Sequence, residues 1–96
     1  MKLGKGIFLV LVLFLSVAVF GSTIKLALVA PFTGLGSILG DYIKKGALLA
    51  VDEINAAGGI NGDTIELAVY DDAANPSTAA NVIRRALFQD NAVAIF

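Results

Sequence analysis

The chain has no cysteine, no histidine and no tryptophan, and only two prolines in 96 residues. Without cysteine there is no disulfide, no thiolate metal site and no acylated-cysteine lipid anchor. Without histidine, the commonest general acid–base group and the commonest zinc ligand are both missing. Basic residues are scarce as well. Residues 22–96 keep Lys25, Lys44, Lys45, Arg84 and Arg85 against all eight acids, a net charge of −3. Binding a phosphate backbone takes a cluster of Lys and Arg on one face, so no nucleic-acid partner is expected.

What is abundant is apolar side chain, 57% of the chain. Part of it is concentrated at the start. Lys2 and Lys5 precede a continuous apolar run from Ile7 to Phe20 with one serine, and Val19-Phe20-Gly21 leads to Ser22. This is the pattern of a secretory signal, residues 1–21, cleaved before Ser22 or alternatively after Ala18. An uncleaved anchor is the competing reading, but the run is short against the ~20 residues needed to span a bilayer. Residues 22–96 then form the folded part. They are read as the N-terminal fragment of a longer protein, because the sequence stops inside the apolar run Ala92-Val93-Ala94-Ile95-Phe96. So short a chain makes a marginal core, since a domain of ~60 residues buries only about 60% of its unfolded surface. Residues 22–96 alone are expected to fold poorly or self-associate.

Thr23 to Ala30 is nearly all apolar, as a parallel strand covered by helices on both faces must be. A loop with three glycines and a proline follows, from Pro31 to Gly40. The next helix is expected from Gly40 or Asp41 to Ala57, with Ile43, Ala47, Val51 and Ile54 on the sheet side and Lys44, Lys45, Asp52 and Glu53 opposite. Asp41 is placed in its first turn, four residues before Lys45. Gly58-Gly59 ends the helix. Ile60-Asn61-Gly62-Asp63 is a turn into Thr64 to Tyr70, whose alternation predicts a half-exposed or edge strand beside the first, joined by a right-handed parallel crossover. Asn75-Pro76 starts a second helix running to about Gln89. Its inner face is expected to be Ala80, Ile83 and Leu87 with Val82 and Ala86 beside them, and Arg84 and Arg85 outside. A third strand begins at Ala92. The fold class is α/β: the first β-α-β-α-β part of a doubly wound parallel-sheet lobe.

In such sheets, ligands bind outside the carboxyl ends of the strands. The glycine loop fails the dinucleotide fingerprint, because Gly34, Gly36 and Gly40 give G-x-G-x-x-x-G instead of G-x-G-x-x-G, and no G-K-[ST] ending marks a P-loop. Its length exceeds the usual ~2–6 residues of a βα connection. A cleft wall for a small molecule is therefore preferred to a plain turn, with Thr33 and Ser37 supplying hydroxyls and Phe32, Ile38 and Leu39 an apolar rim. The opening of the helix supplies backbone N–H groups for an anion. Asp71-Asp72 alone offers too few ligands for a metal, so these acids are assigned to the strand end and the start of the second helix. Lys44-Lys45 and Arg84-Arg85 are read as solvated faces. Nothing in the sequence calls for a cofactor.

Three segments carry a family resemblance: Ile24 to Gly34; Gly46-Ala47 with Ala50-Val51-Asp52-Glu53-Ile54-Asn55-Ala56-Ala57-Gly58-Gly59-Ile60-Asn61-Gly62; and Tyr70-Asp71-Asp72 with Asn75-Pro76. Together they resemble the N-terminal part of branched-chain amino-acid periplasmic solute-binding proteins, the extracytoplasmic component of ATP-driven importers. The resemblance implies two α/β lobes closing over an amino acid or similar small polar solute, a membrane permease as partner, and no catalysis. It places Phe32, Thr33, Gly34, Ser37 and Leu39 on the ligand cleft, with Leu39 where related binders often set a ring-bearing side chain. It also implies that the serine and threonine groups clamping the ligand's head group lie beyond Phe96, so residues 22–96 alone are not expected to bind. Ala74 stands where the family commonly has cysteine, so that bridge cannot form. A ligand-sensing receptor domain of the same fold and an exported α/β enzyme remain the alternatives.

Overall fold

The computed structural model describes residues 21–96. Apart from Gly21, the expected signal segment lies outside them. The described chain runs β1 (Thr23–Ala30), a short 3₁₀ turn (Gly34–Gly36), α1 (Ser37–Ala56), β2 (Thr64–Asp71), α2 (Pro76–Phe88) and β3 (Ala94–Ile95). The strands form one parallel sheet in the order β2-β1-β3. The sheet is thus the α/β arrangement expected from the alternation of strands and helices. β1 is central and β2 lies at an edge of the described sheet, paired from Thr23 against Thr64 through Ala30 against Asp71. β3 is shorter than expected. Regular pairing is confined to Ala94 and Ile95, but backbone bonds from Val93 to Lys25, Phe96 to Ala27 and Val29 to Phe96 extend the contact along β1.

Successive residues of β1 and β2 face opposite layers. Ala27 and Tyr70 pack with Ala86 of α2 and with Ala92, and Val29, Ala68, Val82 and Ile95 close around them. The alternate residues Leu28, Ala30 and Ile65 are also buried, on the side that α1 covers. Each helix therefore shields one face of the shared sheet, which accounts for the nearly all-apolar character of β1.

The helix seams differ from those expected by periodicity alone. On α1, Ala47, Val51 and Asn55 are half-buried and Gly40 is fully buried, whereas Ile43 and Ile54 are 40% and 38% exposed. Lys44 is half-buried. Two local contacts set this rotation. At one end Gly40 touches the Pro31–Phe32 backbone and ring; at the other the Asn55 amide bonds to β2, accepting from Ile65 N–H at 2.8 Å and donating to Ile65 C=O at 2.9 Å. On α2 the seam runs through Ala79, Val82, Ile83 and Ala86, with Ala80 and Leu87 outside. Ala86 is fully buried because its small side chain sits against Tyr70 and Ala27.

The helix ends follow their signals. Gly58 and Gly59 take φ of 105° and 76°. Gly59 N–H bonds to Ile54 C=O and Gly58 N–H to Asn55 C=O, the paired reverse bonds of a Schellman cap. Asn61 and Gly62, both at positive φ, make a two-residue turn closed by reciprocal Ile60–Asp63 bonds. Asn75 caps α2 by accepting from Ser77 and Thr78 N–H, with Pro76 in the first turn. Asp41, by contrast, lies beyond the first turn of α1, because the helix starts earlier than expected. The Tyr70 hydroxyl donates to Asp90 Oδ2 at 2.6 Å, and Arg85 pairs with the same carboxylate oxygen at 3.3 Å, tying the end of α2 to β2. That hydrogen bond, helped by burial, pushes the Tyr70 phenol above its ordinary pKa.

Replacing Asn55 leaves the Ile65 N–H and C=O without their side-chain partner. Asn55→Ala in the complete gene product should lower stability by about 1–3 kcal/mol. A midpoint unchanged in urea titration would show that water replaces both bonds.

Candidate functional site

The candidate wall begins where β1 ends. Pro31 has no N–H to carry the ladder forward, and the loop proper spans only Pro31 to Gly36 before α1 begins at Ser37. The expected ten-residue loop is therefore shorter, and Ser37, Leu39 and Gly40 belong to the opening of the helix. Sequence periodicity could not place this boundary because Ser37-Ile38-Leu39-Gly40 contains no amphipathic repeat and Ser37, a residue favoured at N-caps, already lies inside the helix. The residue at the N-cap is Gly36, which makes no side-chain cap bond. Ser37 N–H instead bonds to Gly34 C=O, closing the 3₁₀ turn.

Phe32 and Ser37 are half-buried, while Thr33, Gly34 and Leu39 are exposed. Phe32, Thr33 and Gly34 thus lie on the loop, and Ser37 and Leu39 in the first turn of α1. Gly34 has φ 78°, a conformation that favours glycine. Gly40 is required for a different reason. A Cβ at this position would collide with the Pro31 carbonyl oxygen and stand 3.2 Å from the Phe32 ring. Its absence lets α1 descend onto the loop.

Register explains what holds the loop from the other side. Ala30 and Asp71 are paired at the ends of their strands, so the Asp71 side chain emerges next to Pro31–Thr33. Its Oδ1 accepts from Phe32 N–H at 2.8 Å and from Ala73 N–H at 2.9 Å, and its Oδ2 accepts from the Thr33 hydroxyl at 2.7 Å. The Phe32 amide, the Thr33 hydroxyl and the Ala73 amide together hold the carboxyl below the ordinary carboxylate range. Asp72 does a smaller job, accepting from Ala74 N–H at 2.8 Å. The acid pair therefore shapes the strand end, as expected, and Asn75 caps α2, as the Asn75-Pro76 signal implies. The Asp71 contact was not foreseen. Its only sequence signal was an acid at a strand end, and the partners lie 38 and 39 residues away.

Residues 23–96 match a family model described as periplasmic binding protein. The chain belongs to the periplasmic binding protein family. Among curated members of known name, it is 43% identical over 72 residues to a leucine-, isoleucine-, valine-, threonine- and alanine-binding protein of Pseudomonas aeruginosa, covering 75% of this chain and 19% of that protein. A Leu/Ile/Val-binding protein of Rhizobium johnstonii is 46% identical over 63 residues, covering 62% and 17%. Among solved structures, the isoleucine complex of a branched-chain amino acid transporter substrate-binding protein from Streptococcus pneumoniae matches with a TM-score of 0.72 at 40% identity, covering 76% of this chain and 21% of that one. A fatty acid transporter substrate-binding protein from Thermomonospora curvata matches at 0.69 and 34% identity, covering 77% and 18%. The chain spans about one fifth of the length of these relatives. The fold expected from the sequence is thus the fold of this family, and its named relatives are binding proteins.

The pH dependence of the wall follows from the direction of the Asp71 shift. A carboxyl depressed in the folded state contributes its stabilisation above its unfolded-state pKa and loses it as pH falls through the folded value. Asp71→Asn should therefore flatten the fall in stability below about pH 4. Parallel acid-unfolding slopes for the two proteins would contradict this.

Proposed function

We propose that this segment forms one wall of the ligand cleft in the extracytoplasmic solute-binding component of an ATP-driven importer. The ligand is an amino acid of the branched-chain type or a similar small polar solute, and the partner that receives it is a membrane permease. The observation that carries this reading is the family match across the whole described domain, including the loop at the carboxyl end of β1. The names of the Pseudomonas and Rhizobium relatives support the ligand class. The location is extracytoplasmic, supported by the family and by the charged, then apolar, start of the sequence.

On this reading Phe32, Thr33, Gly34, Ser37 and Leu39 face the ligand. The exposed Leu39 side chain, together with the half-buried Phe32 ring, offers an apolar contact. Gly34 brings the main chain close, and Thr33 and Ser37 add hydroxyls. Two lobes closing over the solute supply the remaining contacts, and the closed form is what the permease recognises.

Titration calorimetry of the complete gene product with leucine, isoleucine and valine tests the assignment. Saturable one-to-one binding is expected for at least one of them, and none for residues 22–96 alone. Leu39→Ala should weaken the preferred amino acid by about fivefold, the equivalent of about 1 kcal/mol of lost apolar contact. Binding of a long-chain fatty acid with no response to any amino acid would replace the ligand class by that of the Thermomonospora neighbour.

A further inference from the structure

We propose that Asp71 is the positioning residue of this wall. Its carboxylate fixes the Phe32 backbone and the Thr33 hydroxyl before any ligand arrives, and it makes Thr33 an acceptor toward the cleft. The inference rests on the reading of residues 32–39 as a ligand wall and adds a residue outside that stretch.

Two observations carry it. Asp71 reaches across from the neighbouring strand to two consecutive loop residues, with Phe32 N–H and Thr33 Oγ1 at 2.8 and 2.7 Å from its separate oxygens. The loop is therefore held at two points by one charged group, which fixes its orientation as well as its position. The opposite side of the loop is braced by α1, which the missing side chain of Gly40 allows to touch Pro31 and Phe32. Between strand and helix, the segment has little freedom left to lose when a ligand binds, which lowers the ordering cost of binding.

The second part follows from counting protons. A threonine hydroxyl has one proton to donate and two lone pairs to offer. Here the proton is directed to Asp71, so the oxygen meets a ligand only as an acceptor. That arrangement favours an N–H or ammonium group at this point of the cleft and disfavours a carboxylate. Asp71 also places negative charge one bond behind the hydroxyl, in the same sense. A donor group of the solute that reaches this wall therefore meets Thr33 as an acceptor.

The test uses the complete gene product and two readouts. Amide exchange followed by mass spectrometry or NMR reports the loop without ligand; calorimetry with the preferred branched-chain amino acid reports binding. Asp71→Ala should speed exchange at Phe32 by about tenfold or more, leaving Val29, which bonds to Phe96, unchanged. It should weaken binding by about tenfold, with the ligand-free protein still folded at the temperature of the titration. Thr33→Val should weaken binding more than Thr33→Ser, which keeps the hydroxyl that Asp71 orders. The Asp71→Ala and Thr33→Val effects should be less than additive in the double variant, since both remove the same contact. Wild-type affinity in Asp71→Ala, or full additivity, would overturn the positioning role. If the unaltered protein binds no amino acid, the functional reading fails and the binding role falls with it. Unchanged Phe32 exchange in Asp71→Ala would overturn the anchoring itself.

Discussion

β1 carries both interfaces of this structure on one backbone. Its hydrogen-bonding edges are taken by β2 on one side and by residues 93–96 on the other, and its two faces are covered by different helices. A strand so enclosed has no place for a polar side chain except near an end, where Lys25 sits. It also leaves the chain only one exit, over the carboxyl end of the sheet. The loop that becomes the candidate wall is located by this enclosure. Its shape is then decided by two groups that approach it from outside, the Asp71 carboxylate and the backbone of α1 at Gly40.

Those two approaches divide the labour in a recognisable way. Close packing at Gly40 is steric, and is available because one residue lacks a Cβ. The bonds from Asp71 are electrostatic and directional, and depend on the register that brings Ala30 and Asp71 side by side. Asn55 repeats the second strategy at the opposite end of α1, pairing its amide with both polar groups of Ile65. α1 is thus fastened near each end by a residue that is not itself a large apolar one. This explains how the helix lies close to the sheet while Ile43 and Ile54 remain partly open.

Local chemistry made much of this legible in the sequence. The nearly all-apolar run marked β1, Gly58-Gly59 marked the end of α1, Asn61-Gly62 marked the tight turn, and Asn75-Pro76 marked the start of α2. Each of these signals acts within a few residues. The start of α1 was less legible, since Gly36 rather than a side-chain cap opens the helix and the turn before it is held by backbone bonding. The rotation of both helices was hidden for another reason. Periodicity ranks residues by hydrophobicity, whereas here the closest contacts are made by Gly40, Asn55 and Ala86. Topology points to the candidate wall, the hydroxyl and apolar residue types of the loop point to its residues, and the resemblance singles out Leu39. The Asp71 strap belonged to none of these sources, because its partners become neighbours only when two strands separated by a helix come into register.

The corner after β2 shows what this use of carboxylates costs. Ala73 and Ala74 both adopt left-handed backbone, with φ of 51° and 53°, and their amides are held by Asp71 and Asp72 respectively. An L-residue in that region carries a penalty of ~1–2 kcal/mol, which glycine avoids. The turn is therefore enforced by charge where a more permissive residue would have adopted it freely. In evolutionary terms this makes the corner a conditional one: β-branched side chains are excluded, while glycine or asparagine would be accepted and would relieve the acids of one duty. A lineage that drifted to glycine here would free Asp71 to change without losing the corner, so the two positions are expected to tolerate substitution in a preferred order.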